Sequence, residues 1–341
     1  MHTPLARLLP RITLVAALLL AACGDDGTTS PEGDAGPWLL DPTEDLPSRL
    51  SSVGLFSDML SATPSDLVEP FTVRYPLFSD GNLKTRHAFL PEGTTIDVSD
   101  PDAWEMPVGA TFFKTFSLTA NGNPVAGAPR IETRILHKRD DGWTVGTYQW
   151  NDDQTDAVLT SGSSVRRDFE LPGGSYTYTI PGNADCRSCH DGTVDFVAAF
   201  EAVQLGPGLD EFESLEWFSG AVDPIEIEGT EAERAALGYL HGNCANCHSP
   251  DGPAWFSTGL DLRHGEAVES TVDRRPRKFF STNPAIRLIR PGIPDSSLVY
   301  MIMAGDLLEF EAFMPPLGTS KLDEEGLQIL STWIDELGTR P

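Results

Sequence analysis

Two pentapeptides, Cys186-Arg187-Ser188-Cys189-His190 and Cys244-Ala245-Asn246-Cys247-His248, constrain this chain more than anything else in its 341 residues. The chain has five cysteines; these two C-x-x-C-H motifs use four, and the fifth, Cys23, belongs to a separate signal near the N-terminus. A thioredoxin-like redox pair, or a Cys₄ zinc site made from both pairs, accounts for the thiols. Both leave the histidine after each pair as coincidence. A thioredoxin-type pair also opens a helix, whereas the second motif closes one, since Thr230 to His248 reads as a short helix running into Cys244.

C-x-x-C-H is the attachment pattern for c-type haem. Two cysteines three apart on a turn can each form a thioether to one vinyl group, and the next histidine then lies under the ring as proximal iron ligand. The expected cofactors are therefore two covalently attached c-type haems. Cys186, Cys189, Cys244 and Cys247 are the thioether positions, and His190 and His248 are the iron ligands.

The balance of 51 acidic against 24 basic residues, a net charge of -27, argues against nucleic acid as a partner, because such proteins present a basic face. Near the N-terminus, Arg7 and Arg11 precede the apolar run Ile12 to Ala22, a signal-peptide pattern too short for a membrane span. Leu20-Ala21-Ala22-Cys23 resembles the lipobox of bacterial lipoproteins, which implies lipidation of Cys23; secretion with a free Cys23 is the alternative. The expected location is periplasm or cell surface, with acyl chains holding the chain to a bacterial membrane. Residues 23–47, rich in Gly, Pro, Ser, Thr and acid, read as a flexible acidic tether.

Residues 48–183 read as a β-rich domain, a small antiparallel sandwich or barrel. Lys84 to Leu90, Thr111 to Phe116 and Ser175 to Ile180 are expected strands. Arg130–Lys138 and Trp143–Trp150 form a hairpin turning at Asp140-Asp141-Gly142, with Asp-Gly as its turn. Trp143, Tyr148 and Trp150 are expected to pack rather than form a carbohydrate platform. Asp152, Asp153 and Asp156 lack the Gly and final Glu of a calcium loop and are expected in a solvated turn.

Residues 184–228 carry the first motif and then Val194 to Leu205, expected as a helix with a buried face of Val194, Val197, Ala198 and Val203. His87, His137, His241, His264, Met59 and Met106 are the candidate sixth ligands for that iron. His137 shares a strand face with Ile131 and Ile135 and is expected in the core, and His241 sits too near Cys244 to reach its own haem. The helix before the second motif opens on a capping box, Thr230 with Glu233. Asp323 to Leu337 is an amphipathic helix with Leu327, Leu330, Ile334 and Leu337 at helical spacing. Between the two lies Met314-Pro315-Pro316, a stiff loop suited to bring sulfur to an iron as distal ligand. Met301 and Met303 are expected in the core of a helical run, Ser296 to Ala304.

Residues 229–341 resemble a class I cytochrome c: a helix ending in C-x-x-C-H, a distal Met loop and a terminal helix carrying Trp333. The resemblance implies His248 as proximal ligand and Met314 as distal ligand. Ala236 stands where such proteins usually have Gly, and Leu240 where they usually have an aromatic. The stretch from Tyr75-Pro76-Leu77-Phe78-Ser79-Asp80-Gly81 onward also resembles a sparsely characterised family of bacterial dihaem c-type cytochromes. The matching pieces are Arg130 to Arg134, Asp185 to His190 and Met314 to Gly318. The expected fold class is α+β, an antiparallel β-rich N-terminal domain followed by an all-α class I cytochrome c-like domain at 229–341, after a signal peptide at 1–22.

The functional expectation is an exported, membrane-anchored dihaem cytochrome passing single electrons between periplasmic redox proteins, an electron-transfer protein rather than a catalyst. A dihaem peroxidase or oxidase with an open first haem is the enzymatic alternative. The third reading makes the β-domain a binding module and the chain the haem-bearing subunit of a periplasmic dehydrogenase. Arg274-Arg275-Pro276-Arg277-Lys278 is the one basic cluster, read as a solvated loop against the alternative of a docking or propionate-neutralising patch.

Overall fold

Segments dense in Thr, Phe, Ile, Val and Trp favour extended backbone, and between Glu69 and Leu159 they build a six-stranded antiparallel sheet in this computed structural model. The structure describes residues 39–120, 123–124, 129–171, 174–277, 285–306 and 314–339. The expected signal segment 1–22 and Cys23 lie outside the described residues. The strands are β1 (Glu69–Pro70), β2 (Leu83–Phe89), β3 (Thr111–Ser117), β4 (Arg130–Arg139), β5 (Gly142–Trp150) and β6 (Ala157–Leu159), paired in the order β6-β5-β4-β3-β2-β1. Arg139 pairs with Gly142, so the hairpin turns on Asp140-Asp141 and the expected Asp-Gly step already begins the return strand.

Side chains alternate across a strand, so the register divides the sheet into two faces. Phe89, Phe113, Ile135, Tyr148 and Trp150 line one, buried under Leu40, Leu50, Val53 and Leu55. Residues 39–47, the end of the expected tether, are part of this layer: Leu40 is buried, and Tyr148 Oη donates to the Pro47 carbonyl at 2.8 Å. Tyr148 and Trp150 are fully buried, so they offer no platform to a sugar. The other face carries Ala88 and Phe112 in an aromatic cluster with Trp104, Phe200, Phe212 and Phe218.

A second hairpin, β7 (Val165–Leu171) and β8 (Gly174–Ile180), contributes Tyr176, Tyr178 and Ile180 to a small core with Leu118 and Ile131. The chain then enters α1 (Asn183–His190). The helix expected over 194–205 does not form. Asp195, Phe196 and Ala199 all take positive φ (41°, 64° and 71°), and a single helical turn follows at Ala202–Leu205. Tertiary contacts at Asp195, described below, override the apolar spacing that suggested a helix.

The expected all-α cytochrome c-like domain at 229–341 is not formed, and this corrects the fold class: the chain is a mixed fold organised on an antiparallel sheet. Only α2 (Glu231–Asn243) and α4 (Glu324–Leu337) exceed ten residues among the described helices; between them lie Trp255–Thr258, Ala267–Thr271 and α3 (Leu298–Met303). Pro250, Gly252, Pro253, Gly259, Pro291, Gly292 and Pro294 interrupt helical runs, since Pro lacks the donor and Gly the rigidity. The described residues, from Leu39 on, form one unit. Tyr75, from the strand-bearing half, seals the join: a Cβ on Gly238 of α2 would lie 2.0 Å from its ring, and one on Gly242 2.2 Å from its carbonyl oxygen.

Within this frame the two longer helices begin as their caps dictate. Thr230 Oγ1 accepts from Glu233 N at 3.2 Å, and the Asp323 carboxylate from Gly326 N at 2.9 Å, each worth about 1 kcal/mol. Ala236, Leu237 and Leu240 of α2 meet Leu330, Trp333 and Ile334 of α4 in a shared core. Met303 is buried in that core, whereas Met301, expected there with it, is half-buried and not part of it.

Candidate functional site

The first motif is held by α1, whose start is fixed from both sides. Asp185 Oδ2 accepts from Gly182 N at 2.9 Å and from Ser164 Oγ at 2.7 Å. A side chain at 182 is excluded, because its Cβ would stand 2.6 Å from the Gly162 carbonyl oxygen. Cys186 and Cys189, both half-buried, fall on one side of the helix because positions three apart are neighbours. His190 closes the helix, and its Nδ1 lies 2.8 Å from the Phe196 carbonyl oxygen. A carbonyl only accepts, so Nδ1 carries the proton and Nε2 keeps its lone pair. Burial pushes this imidazole down to about 4, which keeps it neutral near pH 7.

The position of Phe196 is built by Asp195. Its carboxylate accepts from Lys138 Nζ at 2.7 and 2.8 Å, from Trp143 Nε1 at 2.9 Å and from Met106 N at 2.6 Å. Trp143 stacks on the Phe196 ring at 6.0 Å between centroids and 16° between planes. Sheet strands β4 and β5 thus set the carbonyl that orients His190.

The second motif follows α2 directly. Cys244 is the C-cap residue, and His248 N donates back to the Cys244 carbonyl at 2.9 Å, folding the pentapeptide into a turn. His248 Nδ1 lies 3.2 Å from Thr258 Oγ1, whose own hydroxyl donates to the Ala254 carbonyl at 2.8 Å. The hydroxyl proton being used there, Nδ1 of His248 is again the donor, and Nε2 is again the free nitrogen. Burial lowers the pKa of this imidazole too, and raises that of the Cys244 thiol to about 12.

The two motifs meet. Cys189 Sγ and Cys247 Sγ are 3.9 Å apart across 58 positions of chain. Two glycines allow it: a Cβ on Gly192 would lie 2.8 Å from Gly252 Cα and 3.0 Å from the Asn246 oxygen, and one on Gly252 would lie 2.2 Å from the Cys247 oxygen. Sequence reasoning missed both, although Asp191-Gly192 and Asp251-Gly252 follow their motifs as a matching pair. It also missed Asp80, which is buried and accepts from Ser320 N (2.8 Å), Lys321 N (3.0 Å), Ser320 Oγ (2.6 Å) and Tyr176 Oη (2.9 Å). Asp80 thereby pins the end of the loop that carries half-buried Met314. Residues 307–313, the approach to that loop, lie outside the described residues.

The remaining candidate ligands have other occupations. His137 is 1 % exposed and bonds Thr111 Oγ1 at 2.9 Å, as its strand register suggests. His241 uses Nε2 on Glu201 (2.7 Å) and Nδ1 on His264 N (3.4 Å). His87 is buried on the opposite sheet face, edge-on to Phe56. Met106 is buried in the aromatic cluster, and Met59 packs on the layer over the sheet. Asp152 pairs with Arg167 and Asp156 with Arg49, so these acids serve ion pairs. In the basic cluster, Arg274 approaches Glu269 at 3.7 Å and Arg277 stacks over Trp255; Lys278 lies outside the described residues.

Among the described residues no three His, Cys, Asp or Glu side chains converge as they would to hold a metal ion by themselves. The motif residues do suit c-type haem. Each pair of half-buried thiols is free of disulfide, and each following histidine is neutral, with Nδ1 tied back and Nε2 left to bind iron. Among the described residues no helix is long and apolar enough to cross a membrane. Comparison with family models, curated proteins and solved structures finds no match to this chain, so the site stands on its geometry alone.

Proposed function

We propose that this chain is an exported carrier of single electrons holding two c-type haems. One is bound through Cys186 and Cys189 with His190 as proximal ligand, the other through Cys244 and Cys247 with His248. The observation that carries the reading is the approach of the two motifs, with Cys189 Sγ and Cys247 Sγ at 3.9 Å. Neither motif needs the other to bind haem, but a relay needs both in one place.

When bound, haem supplies a one-electron Fe(III)/Fe(II) couple. The chain's own residues supply the rest. Phe196 and Thr258 hold the imidazoles in the tautomer that presents Nε2. Burial keeps both rings neutral at the start. Gly192 and Gly252 let the two turns touch, which shortens the electron path. Met314 is the proposed distal ligand of the second iron. Lipidated Cys23 is proposed to hold the carrier at a membrane, within reach of periplasmic redox proteins.

Maturation in a host that attaches c-type haem, followed by a pyridine haemochrome assay and intact mass, tests this. Two haems that resist acid–acetone are expected, falling to one when either Cys186 and Cys189 or Cys244 and Cys247 are replaced by Ala. A colourless protein, or pigment that extracts, refutes the reading. The same 3.9 Å separation favours one rival, a Cys189–Cys247 dithiol pair that closes to a disulfide in an oxidising compartment. Colourless protein that loses two titratable thiols on oxidation would establish that rival instead.

A further inference from the structure

One sheet face carries a row of cations with too few anions to match. Arg86 on β2 is paired with Lys114 on β3, and Lys114 with Arg134 on β4. Lys84, two residues along β2, points to the same face because side chains alternate. All four are half-buried. The buried carboxylate on this face is Glu132, which accepts from Arg134 Nη2 and from Tyr178 Oη. Lys84 donates to the Leu77 carbonyl. Among the described residues the side chains of Arg86 and Lys114 make no ion pair; Lys114 Nζ only lies over the Phe116 ring at 5.1 Å.

Like charges placed opposite each other weaken a sheet, and a chain with a net charge of -27 has carboxylates to spare. Burial, reinforced by Arg86, Lys84 and Arg134, drives the Lys114 ammonium well below its ordinary pKa and takes Arg86 to about 10. Glu132 serves Arg134 and Asp323 acts on Lys84, which leaves Arg86 and Lys114 as the cations that an entering anion would meet.

The row ends at the first motif. Thr147 on β5 is the next residue in register after Arg134, and β5 is the strand that α1 packs against. Arg187, inside the motif, donates from Nη2 to the Trp143 carbonyl of β5 at 2.9 Å, which fixes α1 beside that end of the row. Strands lie about 4.8 Å apart, so Lys114 and Arg86 stand roughly 10 and 14 Å from Thr147 across the sheet. That reach is comparable to the width of a porphyrin, whose two carboxylates lie on the edge opposite its thioether bonds.

We propose that Lys114 and Arg86 seat the propionate carboxylates of the haem attached at Cys186 and Cys189, with Arg134 held between them and the motif by Glu132. The assignment rests on the dihaem reading and adds to it an orientation of the first group against the sheet.

The test uses the full chain matured with haem, as wild type, Lys114→Met, Arg86→Met and the charge-keeping Lys114→Arg. The haem count is read first, and a wild type without covalent haem sinks the dihaem reading itself. With two haems counted throughout, the expected result is a downward shift of one of the two midpoint potentials in each Met variant, because loss of a cation favours ferric iron. The propionate bending band in resonance Raman should move with it, and Lys114→Arg should restore both. Unchanged potentials and an unchanged band in both Met variants overturn the proposal while leaving the haem count standing. Inorganic phosphate, titrated into wild type at constant ionic strength, should leave both potentials fixed. A potential that follows phosphate would mean a diffusible anion occupies the row, and the assignment fails.

Discussion

Replacing Gly238 by Ala in α2 should destabilise the protein, and the same change should stabilise it once Tyr75 is gone. A Cβ at 238 would lie 2.0, 2.2 and 2.5 Å from Cε1, Cδ1 and Cζ of Tyr75, where ordinary contact begins near 3.4 Å. The ring must retreat by about 1.4 Å, yet its backbone is held on both sides. Tyr75 N donates to Gln204 Oε1 at 3.1 Å, Gln204 Nε2 donates to Tyr75 O at 3.3 Å, and Gly242 closes on that carbonyl from below. Overpacking of this kind costs about 1–3 kcal/mol, while Ala in a helix interior gains about 0.5–1 kcal/mol over Gly. Gly238→Ala should therefore cost about 1–2 kcal/mol net, and in a Tyr75→Ala background it should stabilise by up to about 1 kcal/mol. A coupling of about 2 kcal/mol between the sites follows. Urea unfolding of the four proteins in the double-mutant cycle measures it. If Gly238→Ala has the same sign and size in both backgrounds, the ring does not fill the groove of α2, and the account of how the helices join the sheet fails.

Other outcomes follow from the same geometry. His137 is buried with its pKa pushed down to about 4, below the unfolded 6.5, so the unfolded chain takes up the proton first as pH falls. Its contribution is intact above pH 6.5 and is lost between there and about 4, at most about 3 kcal/mol; His137→Gln should flatten this part of the stability–pH curve measured by urea unfolding. Asp195→Ala strands donors on Lys138, Trp143 and Met106 and should cost about 3 kcal/mol, with a change in Trp143 fluorescence as its stack on Phe196 loosens. A stability within 0.5 kcal/mol of wild type, on the order of a neutral surface change, would refute the role given to Asp195.

How much was legible before the structure depends on how far each contact reaches along the chain. The hairpin of β4 and β5 could be read because both strands and their turn lie within twenty-one residues, Arg130 to Trp150. Helix starts could be read because Thr230 and Asp323 bond donors three positions away. The 194–205 segment misled because Asp195 and Phe196 take positive φ without being glycine, a choice enforced by Lys138, Trp143 and Met106. The all-α expectation fails because Pro and Gly between 250 and 294 leave only short helices between α2 and α4, while α2 takes Tyr75, from more than 150 residues upstream, into its groove.

By itself the sequence determined the local chemistry: two C-x-x-C-H motifs, each pairing thiols with an imidazole at fixed spacing, on turns that backbone rules dictate. Only the tertiary structure decided what those motifs could do together. It put Cys189 beside Cys247, hung the Met314 loop on Asp80 across 240 positions, and lined Arg86, Lys114 and Arg134 up on one face. Spacing rules report contacts within a helix turn or a hairpin. Juxtapositions between distant segments depend on strand register and on which positions lack a Cβ, and those are settled only when the whole chain is packed.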